Sequence, residues 1–374
     1  MNYLVTAVIT FLSLGVMVGL VVYLVLRTSA LLGCRALWPA VVYGTLFVGG
    51  MVGMLLVASS KSDNFAGHLL VVGGSAVVGV LLVLVVSLAL VDLVGLAVTI
   101  PQKVRIVAVA TLTVVVAALS FANAARPVVK QVPIPVEGLA QPVRVVQLTD
   151  MHLGHNRGAR HVDKIVSIVE AQNPDVVVIT GDLFDSRYRL SPATIAPLHR
   201  LAVPVLFVVG NHDGYIGVEH VKRIVRSLGN VRVLENEVVE LAGLQFVGLD
   251  NMNADSLDVG PHTKPGAPNI ASVLPTLPVD RTKPTVVLHH IPSGARYVAE
   301  AGADLYLSGH THGGQFPPVT WLDELMFDYN KGLYRLGKMA IYVSTGTGTT
   351  GPQMRLGTRP EVAVLDLYCG STSK

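Results

Sequence analysis

Two histidines stand on either side of one threonine in the stretch LYLSGHTHGGQ, residues 305–315. The apolar residues that lead into Ser308 predict a buried strand that ends there. Because side chains two residues apart point to the same face of an extended chain, His310 and His312 can face one point in space. Neutral imidazole is the commonest protein ligand for transition metals. The stretch therefore predicts either half of a metal site or a pair of solvated loop histidines.

Other apolar runs in the second part of the chain also end in Asp, Asn or His. In chain order these ends read D-x-H, GD-x-x-D, GNHD, HH and H-x-H. Asp and Asn favour strand ends as turn residues, but turn chemistry does not explain histidine at four of five ends. In α/β folds ligands bind at the carboxyl ends of strands, so we expect these side chains to meet. They are Asp150, His152, Asp182, Asp185, Asn211, His212, Asp213, His289, His290, His310 and His312.

The composition is too apolar for an ordinary soluble protein. Of the 374 residues, 51% are hydrophobic and 14% are charged, and the mean hydropathy is +0.56. Of the 28 basic and 25 acidic residues, six and two precede Pro127, which leaves 22 and 23 for the second part. This near-neutral balance indicates a globular domain without a basic stripe, so we expect no nucleic-acid partner.

The apolar excess lies in four segments before Pro127. Each is about as long as the roughly 20 residues that a helix needs to cross a bilayer, so the sequence predicts four transmembrane helices and a lipid bilayer as partner. Asp92 is the one acid deep in an apolar run; it indicates either a position near the membrane surface or a functional intramembrane carboxylate. The segments are 3–26, 37–58, 69–98 and 104–125.

Basic residues in the loops between these segments predict the orientation. The 27–36 and 99–105 loops hold two basic residues each, whereas the 59–68 loop holds only Lys61. By the positive-inside rule the first and third loops are cytoplasmic, and four spans place the C-terminal domain outside. The predicted localisation is multi-pass in the cell membrane, with an extracytoplasmic catalytic domain. The residues concerned are Arg27, Arg35, Lys103 and Arg105.

From about residue 143 the chain alternates short apolar runs with helical patterns. Continuous β-branched runs between helices are typical of an α/β fold with buried sheets. The sequence therefore predicts a membrane domain over 1–126, a linker with a first edge strand over 127–142, and an α/β domain over 143–374.

The ordered set D-x-H, GD-x-x-D, GNH-[DE], H-x-P and GH-x-H resembles the calcineurin-like metallophosphoesterase superfamily over about 140–368. The stretches GHTHGGQ, GLYRLG and MRLGTRPE are similar to its bacterial membrane-associated branch, which has N-terminal transmembrane spans. The resemblance implies a four-layer α/β/β/α sandwich with two divalent metals at the strand ends. A mixed oxygen and nitrogen donor set suits Mn, Fe, Zn or Co better than calcium.

The resemblance also implies a role for each donor. One metal takes three residues, the other takes three, and Asp182 bridges both. His290 matches the family's H-x-P spacing, whereas His289 points to the opposite face and is expected in the core. The first metal's ligands are Asp150, His152 and His312, and the second metal's ligands are Asn211, His290 and His310.

Similar enzymes hydrolyse a phosphomonoester or phosphodiester by attack of a metal-bridging water. His212 then acts as general acid or stabilises charge at the leaving oxygen, and Asp185 orients it. Asp213 either takes that orienting role or terminates the turn. Arg355 is a weaker candidate for substrate contact and is equally explained as a surface arginine that bridges loops. His155 is another weak candidate, and a solvated loop also explains it. Residues 250–282 form either a pocket-shaping segment or a surface insertion.

The sequence leaves the substrate class open. A membrane tether favours a lipid-linked or cell-envelope phosphoester. The alternative is a membrane signalling or transport protein that uses a phosphoesterase-like domain as a binding module. All seven expected ligands and His212 are present, which favours the hydrolase. The oligomeric state is not predicted.

Overall fold

The computed structural model describes residues 3–59, 65–255, 268–317 and 319–370. The chain forms two compact units. The first comprises residues 1–122 and 351–354, and the second comprises residues 123–350 and 355–374.

The first unit consists of long helices, which we label α1 to α4. Each of the four predicted apolar segments is helical. Within the described residues, α3 and α4 are long and apolar enough to cross a membrane. The described apolar stretches of the first two helices are shorter, Met17–Leu32 and Leu37–Gly50. Length and composition therefore support a span for two of the four segments. The bounds are Tyr3–Leu32 (α1), Leu37–Ser59 (α2), Phe65–Ala97 (α3) and Gln102–Ala124 (α4).

The second unit is a mixed α/β fold whose described strands form two six-stranded sheets. The first sheet has the strand order β1-β12-β2-β3-β4-β5 and the second has the order β10-β11-β9-β8-β7-β6. The bounds are Val128–Val136 (β1), Val143–Leu148 (β2), Val176–Thr180 (β3), Val205–Val208 (β4), Val231–Val233 (β5), Glu237–Leu241 (β6), Leu244–Gly248 (β7), Thr285–Leu288 (β8), Leu305–Ser308 (β9), Gly332–Leu336 (β10), Met339–Val343 (β11) and Glu361–Cys369 (β12).

Short helices connect the strands. Helix α5 shows how the sequence determines their placement: its buried residues Val162, Ile165, Val166 and Val169 recur at helical spacing and form one apolar face. The bounds are Ala159–Glu170 (α5), Pro192–Ile195 (α6), Asn211–Ile216 (α7), Val218–Arg226 (α8), Ile270–Val273 (α9), Ala295–Glu300 (α10) and Val319–Met326 (α11), with 3-10 turns at Ala196–Arg200, Leu274–Thr276 and His312–Gly314.

Three apolar clusters order these elements in layers. One lies between the first sheet and helices α5 and α8, one between the two sheets, and one between the second sheet and helices α9 and α10. Both faces of each sheet are therefore covered, which is why β3 and β9 read as continuous apolar runs. This is the sheet-on-sheet arrangement that the resemblance implied.

Parallel pairing brings the carboxyl ends of the central strands to the same edges. Strands β2, β3 and β4 are parallel neighbours in the first sheet, and β8 and β9 are parallel neighbours in the second. The predicted strand β1 lies at the edge of the first sheet, parallel to β12. Strands β6 and β10 and helix α11 had not been predicted. Residues 256–267 of the long 250–282 stretch lie outside the described residues.

Candidate metal centre

The polar residues that follow five strands meet at one place, as their positions in the sheets require. They come directly after β2, β3, β4, β8 and β9. Three groups of Asp and His atoms lie close enough to hold a metal ion: Asp150 with His152 and His312, Asp182 with His290 and His310, and Asp185 with His152 and His212. The first two are the groups that the resemblance assigned to separate metals, apart from Asn211, and the third shares His152 with the first.

The first group converges on His152 and His312. The two Nε2 atoms lie 3.0 Å apart, and His312 Nε2 lies 3.4 Å from Asp150 Oδ1. Two nitrogens that bind one ion at about 2.1 Å would lie roughly 3.0–3.4 Å apart, so this spacing fits two ligands of one ion. All three residues are buried, with at most 4% exposed.

The second group contains the residue predicted to bridge. Asp182 Oδ2 lies 3.1 Å from His290 Nε2 and 3.9 Å from His152 Nε2, so one oxygen faces both groups. The predicted ligand Asn211 joins this side, because its Oδ1 lies 2.9 Å from His310 Nδ1. The structure thus brings all seven predicted ligands together, and their ligand roles remain predictions.

His290 provides a test of whether these residues fit a metal. Its Nδ1–H donates a hydrogen bond of 2.8 Å to the carbonyl of Thr180, which leaves a lone pair on Nε2. That Nε2 is buried and, among the described residues, makes no hydrogen bond although Asp182 Oδ2 is close. A buried nitrogen lone pair directed beside a carboxylate oxygen fits a cation between them.

The pKa values of two histidines also indicate that the site attracts positive charge. Burial alone would lower the pKa of His290, but the charge of Asp182 raises it to about 9. Burial likewise opposes the charge of His152, yet hydrogen bonds with Asp150 and Asp185 raise its pKa to about 10. The buried carboxylates therefore require positive charge nearby, which protons on histidine or bound cations can supply.

The backbone of the site is held in an uncommon conformation. Five of the seven predicted ligands have left-handed φ values: Asp150 (52°), His152 (48°), Asp182 (51°), His310 (73°) and His312 (54°). Such values are uncommon for residues other than glycine and cluster at functional sites, where the surrounding fold maintains them. The conformation turns each side chain away from its strand direction toward the common centre.

Two glycines leave the space that these ligands occupy. A Cβ on Gly210 would overlap the carboxylate of Asp182, and a Cβ on Gly309 would overlap Thr149 and the carboxylate of Asp150. Neither glycine has a left-handed φ, so both are required by close approach.

His212 lies beside the two groups and is paired as predicted. Its Nδ1–H donates to Asp185 Oδ1 at 2.7 Å, and the same oxygen accepts from His152 Nδ1 at 3.3 Å. The ring of Tyr215 packs edge-on against His212, with ring centroids 5.1 Å apart. The His212 side chain is 27% exposed, so a substrate can reach it.

Of the two roles predicted for Asp213, the structure supports the one in the turn and not the orientation of His212. Asp213 is fully buried and accepts backbone hydrogen bonds from Gly210 (2.9 Å) and Phe184 (3.0 Å). Burial and the charge of Asp182 together raise its pKa to about 6. Asp213 therefore fixes the turn that presents Asn211 and His212.

Arg355 bridges loops as predicted, but it is fully buried and does not lie at the surface. Its contact with substrate stays a prediction. Its guanidinium donates to the carbonyls of His312, Thr345 and Gly348, and its Nη2 lies 2.8 Å from His312 Nδ1. Arg355 therefore positions the predicted ligand His312 from its Nδ1 side, opposite the Nε2 atom that faces His152.

The remaining predicted residues lie apart from the two groups. His289 is buried, its Nδ1–H donates to the carbonyl of Ile291, and its Nε2 accepts from the Met252 amide at 3.4 Å, in keeping with a core role. His155 stacks on Tyr188 with ring centroids 4.4 Å apart and is 9% exposed. Its substrate contact stays a prediction.

Sequence reasoning missed two residues that shape the site. Thr149 Oγ1 donates to Asp150 Oδ2 at 2.8 Å and so orients a predicted ligand from the neighbouring position. Tyr215 Oη lies 3.4 Å from Asn211 Nδ2 at the edge of the site. The sequence did contain a signal for Tyr215: residues four positions apart lie on the same face of a helix, and Tyr215 is four positions after Asn211.

Comparison with known proteins gives consistent matches. A family model for calcineurin-like phosphoesterases matches residues 143–314. An uncharacterized metallophosphoesterase of Campylobacter jejuni is 34% identical over 252 residues, which cover 66% of this chain and 65% of that protein. One of Aquifex aeolicus is 33% identical over 232 residues, 60% of this chain and 85% of the relative. A transmembrane protein with metallophosphoesterase domain of Bos taurus is 34% identical over 275 residues, 68% of this chain and 60% of that protein.

Proposed function

Because the chain belongs to the calcineurin-like metallophosphoesterase family, we propose that it hydrolyses a phosphomonoester or phosphodiester at a centre of two divalent cations. One observation carries this proposal: two groups of buried donors share the oxygen of Asp182, which lies 3.1 Å from His290 Nε2 and 3.9 Å from His152 Nε2. A carboxylate in that position can neutralise two neighbouring cations.

The donors of each group determine which cations fit. Asp150, His152 and His312 would hold one ion, and Asn211, His290 and His310 the other. The mixture of imidazole, carboxylate and amide oxygen suits Mn, Fe, Zn or Co. When bound, such cations neutralise phosphoryl oxygens and lower the pKa of water enough for attack at neutral pH.

We infer that His212 serves the leaving group. The hydrogen bond from its Nδ1 to Asp185 fixes the ring, so Nε2 is the nitrogen left for a substrate. A proton on Nε2 can be given to the leaving oxygen while Asp185 holds the ring in position.

A cavity of about 380 Å³ beside Asn211 and Tyr215 supports a polar leaving group. Its far wall contains Lys222, whose Nζ lies 3.5 Å from Asp250 Oδ1. Asn251 also lines the cavity, and its Oδ1 is buried without a hydrogen-bond partner among the described residues. A buried acceptor without a partner favours a ligand with a hydroxyl or amine hydrogen, such as the head group of a lipid-linked or cell-envelope phosphoester.

Membrane anchoring completes the proposal. We infer four spans, multi-pass, with the catalytic unit on the outer face. The two basic loops lie at the same end of the helical unit, because Gln102 Nε2 donates to the carbonyl of Leu31 at 2.8 Å. This placement agrees with one cytoplasmic end under the positive-inside rule. The bovine relative is itself described as a transmembrane protein with this domain.

Hydrolysis of bis-p-nitrophenyl phosphate by the purified full chain tests the proposal. We expect the activity to vanish after chelation and to return with manganese. His212→Ala should lower kcat by roughly 10² or more without metal loss, because a general acid contributes about that much. The matched control is His220→Ala, an exposed histidine on α8. Activity that survives chelation, or metal loss in His212→Ala, would refute the assignment.

A further inference from the structure

A second polar site lies among the helices of the first unit. A cavity of about 220 Å³ is lined by residues of α1, α3, α4 and the loop before α4. It is larger than the roughly 150 Å³ that admits benzene in an apolar protein cavity. We propose that this cavity binds the phosphate group of an anionic phospholipid.

Arg27 is the first of two arginines in the wall, and the fold holds it in place. Arg27 Nε donates to Asp92 Oδ2 at 2.6 Å, and Arg27 Nη2 forms an ion pair with Asp92 Oδ1. Tyr23 Oη donates to the same carboxylate at 3.1 Å. Asp92, the acid that stood out in the apolar sequence, thus neutralises and orients Arg27.

Arg105 is the second arginine, and no acid pairs with it among the described residues. Its Nε donates to the carbonyl of Ile100 at 3.2 Å, which holds the guanidinium group at its Nε end. A Cβ on Gly95 would lie 2.8 Å from Arg105 Nη2, so the absence of a side chain there leaves room for the guanidinium. The cavity wall therefore has two arginines and one acid, a net charge of +1.

The ligand chemistry follows from the charge and from the surroundings. Guanidinium groups bind phosphate oxygens in pairs of parallel hydrogen bonds, and basic pockets between membrane helices suit lipid head groups. Leu88, Val91 and Val109 form apolar parts of the wall. Outside the cavity, Leu93 and Leu96 on α3 are exposed at 64% and 84%. Acyl chains attached to a phosphate in the cavity would cover this apolar surface, whereas free phosphate would leave it bare.

This site extends the proposed function to the membrane unit and does not depend on hydrolysis. Lipid binding is measured directly, so failure of the lipid site and failure of the metal centre are separate results. The chain also offers a matched charge control: Lys103 lies near Arg105 at the start of α4, is exposed, and does not line the cavity.

Native mass spectrometry of the full chain in neutral detergent tests the site. The probes are short-chain phosphatidylglycerol and phosphatidylcholine of equal chain length. We expect tighter binding of phosphatidylglycerol, and Arg105→Gln should weaken it by at least about fivefold, since a basic residue near lipid contributes about that much. Lys103→Gln should change it by less than roughly twofold.

A second variant keeps the charge and moves the guanidinium. Gly95→Ala places a methyl group against Arg105 Nη2 and favours the helix, so we expect weaker phosphatidylglycerol binding with unchanged helix content. Equal losses in Arg105→Gln and Lys103→Gln would overturn the site, as would unchanged binding in Gly95→Ala. Displacement of the lipid by inorganic phosphate at equal concentration would overturn the lipid as its ligand.

Discussion

Asp185→Asn removes one negative charge from a residue that contacts two histidines. Asp185 Oδ1 accepts from His212 at 2.7 Å and from His152 at 3.3 Å. Burial alone would raise the pKa of Asp185, but these hydrogen bonds lower it, so the carboxylate is charged at neutral pH. Its shorter contact is with His212, the proposed proton donor. A hydrogen bond to a charged group contributes about 1.5–3 kcal/mol, and we expect kcat to fall roughly 10- to 150-fold.

Steady-state hydrolysis of bis-p-nitrophenyl phosphate with saturating manganese measures this loss. The substituted amide keeps the shape of the side chain, so KM should change little and both metals should remain by elemental analysis. A fall in kcat with constant KM means that the lost interaction forms in the transition state.

A double-mutant cycle shows which histidine transmits the effect. If Asp185 acts through His212, Asp185→Asn should add almost nothing to the loss caused by His212→Ala. If the two losses multiply, the reasoning is refuted, because Asp185 would then act through His152 and the metal ligands. Metal loss in the single variant Asp185→Asn would refute it in the same way.

Three further perturbations test other parts of the structure. Arg355→Lys keeps the charge but removes the planar set of donors that contacts His312. Metal affinity should therefore fall by at least about tenfold, while KM of the fully loaded enzyme stays constant. A raised KM without a loss of metal affinity would indicate a substrate role for Arg355. Gly309→Ala forces a methyl group onto the carboxylate of Asp150, and titration calorimetry should show the loss of one metal site; full occupancy would contradict the close approach. Arg281→Cys, in a chain without its two native cysteines, should react with a membrane-impermeant maleimide in intact cells; labelling only after lysis would place the catalytic unit in the cytoplasm.

The central strands and the donors after them were predictable because their sequence pattern reports burial directly. Strands β2, β3 and β9 are nearly or wholly buried and read as apolar runs. Strand β6, with sequence EVVEL, is only partly buried and includes two glutamates, so its own pattern is weak. Antiparallel pairing with β7 through the two-residue turn at Ala242 and Gly243 determines its structure, and Ala-Gly is not one of the usual hairpin-turn pairs such as Asn-Gly or Asp-Gly.

The geometry behind the ligands could not be predicted from their types. Arg355 contacts His312, which is 43 residues away in the sequence, and Arg27 contacts Asp92, which is 65 residues away. The motif of residue types identified the donors, but the left-handed backbone at Asp150 and His152 depends on the packed turn around them. Sequence periodicity carries no information on either kind of contact.

Metal content measured on variants of the bridging residue tests the central claim most directly. The purified full chain, loaded with manganese and freed of loosely bound ions, should hold two metals per chain. His312→Ala should keep one, whereas Asp182→Ala should lose both, because its carboxylate faces both groups of donors. One metal in the unaltered chain, or two in Asp182→Ala, would contradict the account.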